Sequence, residues 1–77
     1  MNLSDNYLMS IPESIENLST LENLYLFNNQ LTSLPSTICN ITEWCYIGLN
    51  GNNLCEEYNF DCINESEWGT QDQSDCP

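Results

Sequence analysis

LENLYLFNNQLTSLP, residues 21–35, places leucines at 21, 24, 26, 31 and 34. An amphipathic helix repeats its apolar side chains near every 3.6 residues and a half-buried strand every 2, and neither period accommodates these gaps. The rhythm belongs to a longer repeat. Sliding the chain against itself by 23 residues superposes Met1, Leu24 and Ile47; Leu3, Leu26 and Leu49; and Leu8, Leu31 and Leu54. Ile11 falls on Leu34, Pro12 on Pro35, Ile15 on Ile38, Leu18 on Ile41 and Leu21 on Trp44, which places Trp44 in the expected core. One polar residue returns with them, as Asn6, Asn29 and Asn52. No helix or sheet period preserves an asparagine at that interval, whereas a stacked coil does.

The middle copy, Leu21-x-x-Leu24-x-Leu26-x-x-Asn29-x-Leu31, resembles the signature of leucine-rich repeats. Its sequel, TSLPSTICNIT, resembles the 23-residue class in which Leu-Pro-x-x-Ile-x-x-Leu carries the chain over the outer face. The resemblance covers about two and a half repeats, residues 1–54. It implies an α/β-type solenoid, with short parallel strands on a concave face, turns, 3-10 or short helices on a convex face, and a disulfide-linked C-terminal cap.

The spacing has its own physical logic. Alternate strand residues share a face, so Leu24 and Leu26 point inward while Tyr25 and Phe27 point out. Asn29 follows where the chain must leave the strand, and a buried amide there can satisfy turn groups that would otherwise be desolvated at a cost of about 1–3 kcal/mol each. Asn6, Asn29 and Asn52 are expected to stack as such a ladder. Pro12 and Pro35 end strand pairing, and Ile15, Leu18, Ile38 and Ile41 suit a 3-10 or short helical return.

A single core of 77 residues is marginal unless stapled or continued. The repeat opens at Met1 without a polar cap before it, so the chain reads as the C-terminal piece of a longer array, or as one whose bare first coil stacks on another chain. At the other end the pattern fails after Leu54: the next positions in register, Glu57, Asp61 and Asn64, leave no apolar row for a further coil. Residues 55–77, CEEYNFDCINESEWGTQDQSDCP, are polar and cysteine-rich, as a solenoid end requires, and Tyr58, Phe60, Ile63 and Trp68 are expected to cover the open core. Asn-x-Leu-Cys, a Cys seven places on and the Gln-Asp and Ser-x-Cys-Pro tail resemble C-terminal caps of secreted leucine-rich-repeat proteins.

Five cysteines without Cys-x-x-Cys or histidine point to disulfides and an oxidising, secreted or cell-surface setting, in preference to zinc. Their pairing is open. If the backbone keeps about one coil beyond Leu54, Cys39 and Cys62 occupy equivalent places on neighbouring turns, and Cys55 with Cys76 then clips the tail. The alternative is a local Cys55–Cys62 loop, with Cys39 joined to Cys45. Cys45 is the first choice for an unpaired thiol, because its register matches Glu22, a surface place. Sequons stand at Asn2, Asn17, Asn40 and Asn64. Asn17 and Asn40 share a register on the outer face and, with Asn64, are the glycosylation candidates; an asparagine there also suits a turn without any modification.

Twelve acids stand against no Lys, Arg or His. Such a chain repels phosphate, which excludes nucleic acids and anionic membranes as partners, and no apolar run reaches the length of a membrane span. The acidic tail, with Glu56, Glu57, Asp61, Glu65, Glu67, Asp72 and Asp75, lacks an Asp-x-Asp-x-Asp-Gly loop. No metal or other cofactor is therefore expected. Without His or Lys, acid–base and activated-cysteine chemistry lack their usual groups, and no enzyme activity is expected.

Recognition is the use to which solenoids put a concave sheet. The outward positions are Asn2, Ser4 and Asp5; Tyr25, Phe27 and Asn28; and Tyr46, Gly48 and Asn50. Tyr25, Phe27 and Tyr46 would make an apolar platform edged by amides, a composition favoured in binding patches, although aromatics also occupy strands because they pair well across neighbours. Gly48 would leave a dent beside Phe27. A protein or glycan ligand on this face is the expected partner, with self-association through the first coil as the alternative.

Overall fold

The computed structural model describes residues 1–18 and 20–76. In chain order it holds a 3-10 helix (Glu13–Asn17), strand β1 (Asn23–Tyr25), a second 3-10 helix (Ser36–Asn40), strand β2 (Tyr46–Gly48), a third 3-10 helix (Glu56–Tyr58) and helix α1 (Glu65–Trp68). β1 and β2 pair in parallel with Asn23 opposite Tyr46, Leu24 opposite Ile47 and Tyr25 opposite Gly48. A parallel bridge from Asn2 to Tyr25 extends the pairing toward the N-terminus. Parallel neighbours need a return connection, and here each return runs through Pro12 or Pro35 into a 3-10 helix, the prolines sitting extended as N-caps. The first two 3-10 helices pack on each other, as the two strands do.

The core lies between strands and returns. Leu24, Leu26, Leu31, Ile38, Ile41, Ile47, Leu49 and Leu54 are each 1% exposed or less, with Leu34, Cys45, Ile15, Ile63 and Trp68 completing the cluster. Leu3, Leu8, Ile11 and Leu21 pack against it while only partly covered. Leu18, expected inward, is 37% exposed at the end of the first return.

Trp44 corrects the expectation from register: it is 48% exposed, and the neighbouring Cys45 is buried in its place. The reason is local. The second 3-10 helix ends at Ile41 in the right-handed helical region (φ −115°, ψ −10°), whereas the first ends at Leu18 with ψ 62°. The turn therefore continues: Trp44 N donates to Ile41 O at 3.3 Å as Leu21 N does to Leu18 O, and Cys45 N adds a second bond to Ile41 O at 2.9 Å. That extra helical turn rotates Trp44 outward and brings Cys45 in. Cys45 is free and buried, whereas its register placed it at the surface.

The disulfides are Cys39–Cys62 and Cys55–Cys76, with Cα separations of 5.5 and 5.8 Å. The first joins the second 3-10 return to the segment that follows the third. The second closes the C-terminal tail onto the residue that leaves the last buried leucine.

After Leu54, where no further apolar row is in register, the backbone still makes one more turn. Leu3 N donates to Tyr25 O, Leu26 N to Gly48 O and Leu49 N to Glu67 O, all at 2.8 Å. Asp5, Asn28 and Gly51 amides repeat the pattern toward Phe27, Asn50 and Thr70 carbonyls at 2.9, 3.0 and 2.9 Å. The first two windings separate donor and acceptor by 22 residues (25 − 3, 48 − 26), the last by 18 or 19 (67 − 49, 70 − 51), so the chain closes with a turn three or four residues shorter. An offset of 23 cannot find it.

Candidate functional site

Two amide positions set the frame. The Asn29 side chain donates to Leu3 O and Leu26 O at 3.0 and 3.2 Å and accepts from the amides of Asn6 and Leu8. Asn52 repeats this one winding later, donating to Leu26 O and Leu49 O at 2.9 and 2.8 Å and accepting from Leu31 N. Both are buried. Asn6 belongs to the same series and donates to Leu3 O, but it is exposed, which corrects the expectation of three buried rungs. Gln71 is the rung that the repeat register missed. Its side chain donates to Leu49 O and Trp68 O, both at 2.8 Å, and accepts from Leu54 N. Trp68-x-x-Gln71 echoes Leu26-x-x-Asn29 and Leu49-x-x-Asn52, a signal visible in the sequence once the shortened turn is allowed.

The turns between strand and amide hold Asp5 and Asn28 at φ 59° and 58° and Gly51 at φ 82°. Asp, Asn and Gly are the residues that tolerate this left-handed conformation. Asn28 donates from its side chain to the Asp5 carboxylate at 3.1 Å.

On this frame the sheet face presents three aromatic rings. Tyr25 and Phe27 stack with centroids 5.6 Å apart and planes 19° apart, and Tyr46 tilts against Tyr25 at 6.2 Å and 59°. All three are half-buried. Gly48 is not a dent open to solvent: a Cβ placed there would lie 2.5 Å from Cζ of Phe27, so the ring covers the glycine. Ser4 lies behind Phe27, its hydroxyl accepting from the Phe27 amide at 3.1 Å, while Asp5 and Asn28 are exposed beside it. Asn50 is turned toward the C-terminal segment, where it accepts from Thr70 N at 2.7 Å. Tyr46 donates its hydroxyl to Ser66 O at 3.0 Å.

That Ser66 belongs to α1, a four-residue helix with a complete capping box. Asn64 accepts from the Glu67 amide at 2.8 Å, and the Glu67 carboxylate accepts from the Asn64 amide at 3.1 Å. Glu67 is 3% exposed, and its second oxygen accepts from Ile47 N in the middle of β2 at 2.9 Å. A buried carboxylate thus satisfies a strand edge that lacks a neighbouring strand at that point. By sequence alone Glu67 is one of the acidic tail residues. Its position three after Asn64 was the capping signal.

Of the sequon asparagines, Asn17 is exposed, with Ser19 of its sequon outside the described residues; Pro77 of the tail motif also lies outside them. Asn40 is exposed and donates to the Glu16 carboxylate at 3.1 Å. Asn64 uses only its oxygen in the cap, accepting from the Ser66 hydroxyl and the Glu67 amide. Asn2 accepts from Ser4 N.

On a different side, a cleft of about 460 Å³ is lined by Met9, Gln30, Thr32, Asn53, Asp75 and the Cys55–Cys76 disulfide. Burial holds the Cys45 thiol above its ordinary value; the Met1 ammonium lowers it by a smaller amount and Glu67 adds slightly to the rise. Ser74 hydrogen bonds hold the exposed Asp72 carboxyl below the usual carboxylate value. Among the described residues no group of three or more Cys, Asp or Glu is placed to hold a metal ion, and no helix is long and apolar enough to cross a membrane. No protein-family model matches the chain, and no solved structure matches it.

Proposed function

We propose that the chain is part of a leucine-rich-repeat solenoid of a secreted or surface protein, and that its outward sheet face recognises a protein or glycan ligand. The fold reading draws support from parallel pairing at an interval of 23 residues and from amides that bond across successive windings. The two disulfides are consistent with an oxidising compartment.

One observation carries the functional reading. Tyr25, Phe27 and Tyr46 gather outside the core, with the Phe27 ring covering Gly48 on the outer side of the sheet. Clustered half-exposed aromatics supply large contact area at low entropic cost. The reading assigns no catalysis and no cofactor.

The test displays the wild-type chain and a Tyr25→Ala/Phe27→Ala variant to immobilised glycan and peptide arrays. Ligands retained by the wild type and lost by the variant are expected. A set of ligands identical for the two proteins rejects this face.

A second reading, self-association through the first winding, is favoured by one feature: Leu3, Leu8 and Ile11 are only partly covered, and Met1 is 53% exposed beside them. Light scattering at rising protein concentration distinguishes it. Growth in mass that salt promotes supports assembly, since screening relieves like-charge repulsion, and a constant monomer mass rejects it.

A further inference from the structure

Resting on the recognition reading above, we infer that the ligand of the aromatic face is a basic protein segment, with an arginine guanidinium laid against Tyr25 and Phe27. The charge inventory decides the sign. All twelve side-chain charges are carboxylates, and the N-terminal ammonium, the lone cation, is engaged with Asn23 O at 2.8 Å. A partner approaching this chain therefore meets a negative field that no internal cation offsets.

Three acidic residues also stand on the segments that carry or touch the rings. Asp5 is tied to Asn28, next in sequence to Phe27. Glu22 offers its carbonyl to Tyr46 N, which places it at the start of the pair Asn23–Tyr46. Glu65 precedes Ser66, whose carbonyl receives the Tyr46 hydroxyl. All three acids are exposed.

The rings supply the matching chemistry. Aromatic faces attract cations through their quadrupole, and arginine stacks flat on them while its remaining donors reach carboxylates in the same plane. Tyr25 and Phe27 are stacked with planes 19° apart, so a planar guanidinium laid against an outer face of the pair extends the same stack. A neutral glycan would use the rings and ignore the charge. An acidic ligand would be repelled by the whole chain. A basic segment uses both features at once, and its association rate should fall with ionic strength.

The experiment titrates the intact, oxidised chain with a nonapeptide alternating arginine and glycine, and with the same peptide carrying citrulline, which is isosteric and uncharged. Variants are Tyr25→Leu/Phe27→Leu, which removes the π faces while keeping apolar bulk, and Glu13→Gln, which removes one charge on the first 3-10 helix, away from the strands. The expected result is binding of the arginine peptide at least about tenfold tighter than the citrulline peptide. The leucine variant should lose about tenfold and Glu13→Gln less than about twofold. Equal losses in the two variants would mean non-specific attraction and overturn the inference. If the citrulline peptide or a neutral glycan binds as tightly as the arginine peptide and the leucine variant weakens it, the face recognises ligands but its basic partner is rejected. If the leucine exchange alters no binding at all, the recognition reading falls together with the inference.

Discussion

At the scale of the residue, the buried amides are where single atoms decide most. Asn52 is 1% exposed and satisfies two carbonyls and one amide that have no water to turn to. Asn52→Ala leaves the Leu31 amide unpaired at about 1–3 kcal/mol and takes one of two donors from each carbonyl, Leu26 O keeping Asn29 and Leu49 O keeping Gln71, so a net loss of about 2–3 kcal/mol is expected in urea unfolding with the disulfides intact. Asn6→Ala, at the exposed position of the same series, should cost about 1 kcal/mol or less, because water replaces the lost partner. Equal losses at the two positions would show that burial is not what gives Asn52 its weight. Cys45 offers a second residue-scale test. Its thiol is held above the ordinary value of 9.0 by burial, so the folded state keeps a proton that the unfolded state releases. The resulting stabilisation is full below pH 9.0 and declines as the pH rises through the higher folded value. Stability of the wild type relative to Cys45→Ala should therefore fall above that pH, and native Cys45 should react slowly with thiol reagents until denaturant exposes it. A ratio of stabilities independent of pH would contradict the burial argument.

At the scale of the element, helix α1 acts through one side chain as the missing neighbour of β2. Glu67 joins Ile47 N to the Asn64 amide, and its carbonyl takes Leu49 N. Glu67→Gln keeps one acceptor oxygen and turns an NH2 toward an N–H, so one of the two amides loses its bond at a cost of about 1–3 kcal/mol. Hydrogen exchange at Ile47 or Asn64 should accelerate first, while Leu26, bonded to Gly48 O in the interior of the pairing, stays protected. Uniform acceleration at all three would deny α1 this local role. The contrast with β1 explains what the sequence could and could not announce. Leu24, Leu26, Ile47 and Leu49 follow a period that stays in register, and a period is visible without coordinates. The interval made Cys39 with Cys62 one of two pairings open in the sequence, since equal places on neighbouring turns approach one another, and the folded chain holds that pair. Trp44 broke the rule because Ile41 continues its helical turn and shifts the facing residue by one. Glu67 and Gln71 escaped because the shorter closing turn sets Glu67 on the register of Leu21 and Trp44 and takes Gln71 off the register of the asparagines, and because both are polar residues whose partners are backbone groups that only the folded chain brings near. The aromatic trio was legible from strand alternation. That Phe27 fills the space over Gly48 was not, as alternation gives a side and not a ring position.

At the scale of the whole molecule, stability rests on a small core, the amides and two cross-links, against unscreened repulsion. Each disulfide closes a loop of about 20 residues, which by loop entropy stabilises the chain by about 3 kcal/mol. A domain of this size has in total about 4–12 kcal/mol, so reduction of both should leave little or no folded population at 37 °C, as judged by loss of near-ultraviolet dichroism from the tyrosines and tryptophans. Persistence of that signal after complete reduction would mean that the core alone suffices. Salt tests the opposing term. In most proteins added salt weakens attractive ion pairs as well as repulsions, and the two effects partly cancel. Here twelve carboxylates face no cationic side chain, so only repulsion remains to be screened. Raising ionic strength from about 10 mM to about 0.1 M shortens the screening length from about 30 Å to about 10 Å, which is less than half the longest dimension of the chain, 34 Å. Repulsion across the molecule then largely vanishes in the folded state, while the expanded unfolded chain, whose charges are already far apart, gains less. The melting temperature should therefore rise by about 5 °C, corresponding to about 1 kcal/mol for a domain of this length, and the gain should flatten above about 0.15 M. A melting temperature that falls with sodium chloride would require an attractive charge interaction in the folded state that the composition does not contain.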